Sequence, residues 1–177
     1  MKFLKVTFAL ILIFHFERSF ADSIADKIEQ ARENFKNAFT GGDFRKAEEY
    51  AKESLQLGKS KYGENSPRLD WDYYFLSHSY FAQGRYSEAE PLVKARLFRS
   101  RKVYPKNHPN IAHSLNNLAT IYSAQGKYIE AEGLQKEAIK IRKLSFGEEH
   151  QFVAASINNL AVLYPTPLIL LISDWPI

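Results

Sequence analysis

Acid–base or metal chemistry needs titratable side chains gathered at fixed spacing, and this chain of 177 residues offers few. It has no cysteine, which excludes thiolate zinc sites and disulfide bracing. Beyond the N-terminal leader the histidines are His78, His108, His113 and His150. His108 and His150 stand 42 residues apart and open closely similar segments, which is the place of a capping residue rather than of a ligand. No glycine-rich phosphate loop, GxSxG or HExxH occurs. These residues point to no enzyme: no catalytic set, no cofactor and no metal site.

What the chain offers instead is residues suited to recognition. Asn116 and Asn158 again stand 42 apart, and an asparagine amide carries one acceptor and two donors. Such a group can hold an extended peptide backbone without reading its side chains, or it can satisfy neighbouring helix groups. A second set is aromatic: Trp71, Tyr73, Tyr74, Phe75, Tyr80 and Phe81 crowd one short segment. At helical spacing Tyr73, Leu76 and Tyr80 share a core face, which leaves Trp71, Tyr74, His78 and Phe81 on another. Aromatic side chains with polar tips dominate binding hot spots. Packing of Trp71 and Phe81 on a preceding helix is the plainer alternative.

The elements that must position these residues recur. HPNIAHSLNNLATIY, from His108, returns as HQFVAASINNLAVLY, from His150, with eight of fifteen positions identical. One period upstream, AQGRYSEAE from Ala82 underlies AQGKYIEAE from Ala124, and Gly42, Phe44 and Ala47 underlie Gly84, Tyr86 and Ala89. A fixed period in this range marks a stack of repeats. Each period holds two helical patterns. Ala112, Leu115, Leu118, Ala119 and Tyr122 form the core stripe of the first, with Pro109 in its opening turn and Gly126 past its end. Tyr128, Ala131, Leu134, Ala138 and Ile141 form the stripe of the second, which Gly147 ends.

The motifs SLNNLATIY (Ser114 to Tyr122), QGKYIEAE (Gln125 to Glu132) and SINNLAVLY (Ser156 to Tyr164) resemble tetratricopeptide repeats of the 42-residue kind found in kinesin light chains. The resemblance implies an all-α fold, a right-handed α-solenoid of antiparallel helix pairs with about 3.5 repeats. The repeats fall near residues 23–65, 66–107, 108–149 and, in part, 150–164. In the first, the turn Thr40-Gly41-Gly42-Asp43 reads as one residue shorter than its equivalents, which leaves the register of the opening helix unplaced. The resemblance further implies a concave groove lined by first helices. Its candidate contacts are Trp71, Tyr74, His78, His113, Asn116, Thr120 and Asn158, with a protein or peptide as partner.

The ends of the chain read differently. MKFLK followed by the apolar Val6 to Phe16, and Ser19-Phe20-Ala21 before Asp22, has the form of a secretory signal peptide over residues 1–21. The expectation is an exported protein, periplasmic or secreted, with no membrane span after cleavage. Without those residues the net charge falls from +4 to +2, too little for nucleic acid as main partner. The run Lys94, Arg96, Arg99, Arg101, Lys102, Lys106 reads as a solvated convex face, or as a contact for anionic lipid or polymer. After Tyr164 the sequence becomes PTPLILLISDWPI, where prolines replace the expected second helix. Either Leu168–Ile172 improvises a cap, or a longer array is interrupted and residues 165–177 are an irregular tail. An uncapped end would favour self-association. Three readings follow: an exported scaffold, a fragment of a longer array whose effector is elsewhere, and an anion-binding or catalytic envelope protein.

Overall fold

The computed structural model describes residues 23–163, so the expected signal peptide over residues 1–21 and the expected irregular tail at 165–177 lie outside it. All regular structure among the described residues is helical. The helices are α1 (23–40), α2 (Phe44–Tyr62), α3 (Asp70–Ala82), α4 (Tyr86–Val103), α5 (Pro109–Ala124), α6 (Tyr128–Phe146) and α7 (Gln151–Val162), with a 3-10 turn at Pro67–Leu69. The described residues fall into two compact units, divided between Ser79 and Tyr80.

In the first unit the turn between α1 and α2 settles the register. The left-handed glycine is Gly42, at φ 79°, and its counterparts Gly84 and Gly126 adopt φ 73° and 75°. Only glycine enters this region cheaply. The helices before them end at residues 40, 82 and 124, and the helices after them begin at 44, 86 and 128. The first turn is therefore not shorter than the others, contrary to the reading of its sequence. Asp43 caps α2, its carboxylate accepting from the Lys46 amide at 3.1 Å. Ile28, Ala31 and Phe35 of α1, Ala47, Ala51 and Leu55 of α2, and Leu69, Tyr73, Phe75 and Leu76 are the buried apolar core. Gly58 lies buried within α2, where a Cβ would stand 2.7 Å from Leu69 Cδ2. Its missing side chain lets the 3-10 turn lie against α2.

In the second unit, α5 packs against both α4 and α6, and α6 against α7. Short polar turns make consecutive helices antiparallel. His108 and His150 do cap: each Nδ1 accepts from the amide two residues on, Asn110 and Phe152, at 3.2 Å. Each imidazole also stacks on an aromatic ring at the end of the preceding helix, Tyr104 just past α4 at 4.1 Å and Phe146 of α6 at 4.6 Å. Ala112, Leu115 and Ala119 are fully buried, as are Ala131 and Ala138 of α6. Burial of a leucine such as Leu115 stabilises by about 1.5–3 kcal/mol. Around Ala119, Ala131 and Leu163 pack Tyr122, Leu134 and Leu160, and the two alanines set how closely the helices approach.

Two expectations need correction here. Tyr128 is 47% exposed rather than part of the α6 core stripe, where the buried Gln135 takes a place instead. The basic run is not one solvated face. Arg96 and Arg99 are buried, Lys94 pairs with Glu90 at 2.6 Å, Arg101 pairs with Glu137 at 2.8 Å, and Lys102 lies over Phe98.

Candidate binding surfaces on the first helices

In the first unit, α3 presents Trp71, Tyr74 and His78 at i, i+3 and i+7, and the three meet as one aromatic file. The Trp71 ring meets Tyr74 edge-on at 5.7 Å, and Tyr74 stacks on His78 at 5.2 Å. Phe39, from α1, stacks on the other face of His78 at 4.6 Å. Behind this file the buried Phe75 stacks on Phe35 at 4.2 Å, so the file rests on a packed aromatic floor. Trp71 remains 55% exposed, a large aromatic surface held in place by its neighbours. Burial pushes the His78 imidazole below its ordinary pKa, which keeps it neutral within the stack.

Beside Trp71 and Phe75 lies an open cleft of about 310 Å³, whose other wall is Glu29, Arg32 and Lys36 of α1. With the register settled, these three stand 42 residues before Trp71, Tyr74 and His78. They are the first-repeat occupants of the same positions. Sequence reasoning missed them because it left α1 unplaced; the 42-residue offset itself was the signal that would have found them.

Arg32 is committed to the protein. Its Nε and Nη2 donate to the two carboxylate oxygens of Asp72 at 2.8 and 2.7 Å, Nη1 donates to Glu29 at 2.8 Å, and Nη2 also reaches the Arg68 carbonyl at 3.1 Å. The Asp72 side chain is fully buried, and its hydrogen bonds raise the guanidinium pKa further. The pair is a bidentate clamp from α1 to α3. Lys36 remains at the surface, 3.1 Å from the exposed Glu33.

In the second unit the asparagines divide their roles. Asn116 Oδ1 accepts from Gln135 of α6 at 3.2 Å and from Asn159 of α7 at 2.8 Å. Its side-chain oxygen thus ties three helices together. Asn159 went unnoticed in the sequence, although the Asn-Asn doublet at 116–117 recurs at 158–159. The Asn158 side chain is exposed and makes no hydrogen bond among the described residues. Thr120, also exposed, donates its hydroxyl to the Asn116 backbone carbonyl at 3.0 Å, and His113 is half-buried.

The chemistry open to these surfaces is contact and hydrogen bonding. Among the described residues no three His, Asp or Glu side chains converge as a metal site, and no helix is long and apolar enough to cross a membrane.

Two family profiles, both described as Tetratricopeptide repeat, match residues 37–97 and 111–151. Among solved structures, a kinesin-light-chain-type protein of Podosopora anserina with nearly identical TPR-like repeats superposes with a TM-score of 0.68 at 24% identity. That match covers 81% of this chain and 66% of the other, and at this identity it speaks for the fold alone. BtubC (BKLC) from P. vanneervenii superposes with a TM-score of 0.67 at 28% identity, covering 84% of this chain and 65% of that one. The chain thus covers less than two thirds of either structure's length. No curated protein matches it.

Proposed function

We propose that this chain, which carries tetratricopeptide repeats, is a protein–protein interaction scaffold that holds a peptide or protein segment against its first helices. A stack of helix pairs presents surface and does little chemistry of its own. The observation that carries the reading is the aromatic file Phe39–His78–Tyr74–Trp71 beside the cleft of Glu29, Arg32 and Lys36. An exposed indole over a rigid floor loses little entropy on binding, and aromatic anchors of this kind supply most of an interface's energy. In the second unit, Asn116 and Asn158 offer amide groups for a peptide backbone. Export under the leader at residues 1–21 is part of the same proposal and rests on the sequence of that segment.

The test is selection of displayed random peptides against the folded chain. Selected peptides should lose tenfold or more in affinity against Trp71→Ala, since a hot-spot truncation costs about 2 kcal/mol or more. Helicity by circular dichroism should stay unchanged. Peptides that bind wild type and variant alike would place binding elsewhere. N-terminal sequencing of the exported product tests the leader, with cleavage after Ala21 expected.

A further inference from the structure

Three contacts fix how α4 and α6 lie side by side in the second unit. Lys127 reaches Glu90 at 3.4 Å, Arg101 pairs with Glu137 at 2.8 Å, and the Ser145 hydroxyl donates to the Asn107 carbonyl at 2.6 Å. The partners stand 37, 36 and 38 residues apart, so the two helices run in the same direction at a nearly constant offset. That offset puts Lys102 of α4 beside Lys140 of α6, and Lys106 beside Leu144. On the side that α5 leaves uncovered, Phe98 is 59% exposed and Leu144 60%. Phe98 and Lys102 are one helical turn apart, as are Lys140 and Leu144. Apolar and cationic side chains therefore alternate across the two helices.

The other cations of these helices have partners: Arg101 holds Glu137, Lys136 holds Glu132, and Lys143 holds Glu148. Lys102, Lys106 and Lys140 pair with no carboxylate among the described residues, and Lys102 lies over the Phe98 ring at 4.4 Å. The helix dipole accounts for a lysine in the last turn of α4. It does not account for Lys140, nor for a phenyl ring and a leucine more than half exposed among the lysines. We propose that this face of the second unit seats on an anionic lipid bilayer. Phe98 and Leu144 would enter the headgroup region, while Lys102, Lys106 and Lys140 would meet the lipid phosphates. Apolar tips standing out of a row of cations are the pattern of helices that lie in a membrane interface. Long lysine stems let the charges stay at the phosphates while the apolar tips go deeper. The face is far along α6 from the last described residue, since Leu163 packs by Ala131, about three and a half turns before Leu144. It belongs to the other unit from the aromatic file, and the proposal does not rest on the function inferred for that file.

The test is co-sedimentation of the full chain with vesicles of phosphatidylcholine, alone or with about 30% phosphatidylglycerol. Binding should be stronger to the anionic vesicles and should weaken as salt rises. Changing Lys102→Ala, Lys106→Ala and Lys140→Ala together should weaken it about a hundredfold, given the share of each lysine near an anionic surface. Phe98→Ser with Leu144→Ser should weaken it about tenfold and leave its salt dependence in place. Both variants change exposed residues and keep residues 1–21, so helicity stays the same and any binding through the N-terminus is retained. Equal binding by the wild type and both variants therefore overturns the proposal. The lack of cysteine permits a second readout. An environment-sensitive dye on Leu144→Cys should shift to the blue on anionic vesicles, and one on Ala124→Cys, exposed at the end of α5, should not. No shift at position 144, or equal shifts at both positions, overturns the proposal. So does loss of binding in the lysine variant alone with soluble polyglutamate competing, since the occupant is then an acidic polypeptide.

Discussion

The clamp between Arg32 and Asp72 is the residue-scale feature with the clearest energetic consequence. The carboxylate is fully buried, so loss of its partner leaves an uncompensated charge. Arg32→Asn should destabilise by about 3 kcal/mol in urea denaturation, the usual cost of breaking a buried pair. One repeat on, the equivalents of Arg32 and Asp72 are Tyr74 and Ser114, and two repeats on they are Asn116 and Ser156. The double variant Arg32→Asn with Asp72→Ser places the uncharged residue types of the third-repeat positions at both sites, removes the buried charge with its partner, and should recover most of the loss. If the double variant is as unstable as the single one, the pair has a role beyond mutual neutralisation. His78 gives a pH signature. Its folded pKa lies below the ordinary 6.5, so the unfolded chain takes up the proton first. The contribution is complete above about 6.5 and is lost as pH falls below that value toward the folded pKa. His78→Phe keeps a ring in the stack and should flatten this part of the stability profile, read as the urea midpoint between pH 7.5 and 5.5.

At the scale of elements, spacing between helices is governed by alanines rather than by large side chains. Ala119 and Ala131 are fully buried at the crossing of α5 and α6. Ala119→Leu should cost about 1–3 kcal/mol, because added methylenes in a close-packed contact force the helices apart. Differential scanning calorimetry of the variant checks it; an unchanged transition would mean that the contact is loose. The same surfaces carry a recurring ion pair. Glu48–Lys52, Glu90–Lys94 and Glu132–Lys136 each close at 2.6 Å, one per second helix. In the middle copy Gln125 and Lys127 also approach Glu90, and with Lys94 foremost they lower its carboxyl to about 2. The aromatic file is likewise a product of two elements. The part on α3 was legible from spacing alone, but Phe39 and the acidic and basic wall of α1 became legible only once Gly42 fixed the turn.

At the scale of the whole molecule, a repeat protein is held by interactions between neighbours, so protection should follow how many faces of a helix are covered. Within the second unit α5 is flanked by α4 and α6, whereas α7 touches α6 on one side. Native-state hydrogen exchange should find α7 opening with the least free energy and α5 with the most. Equal protection of the two would show that something already covers α7.

Much of the architecture was written in the periodicity. Two amphipathic patterns per 42 residues, with glycine at each left-handed turn, can satisfy their backbone and bury their stripes only as paired helices. The aromatic face of α3 followed from the same helical geometry. Tertiary structure decided what periodicity cannot express, namely which polar groups face a neighbour and which face solvent. Asn116 and Asn158 are equivalent in sequence, yet Asn116 is drawn into bonds from α6 and α7 while Asn158 stands exposed. Arg96 and Arg99 read as surface charge yet lie buried, and Tyr128 reads as core yet lies half in solvent. The physical reason is one and the same: a local pattern states how a residue sits on its own helix, whereas burial depends on what the neighbouring helices bring against it.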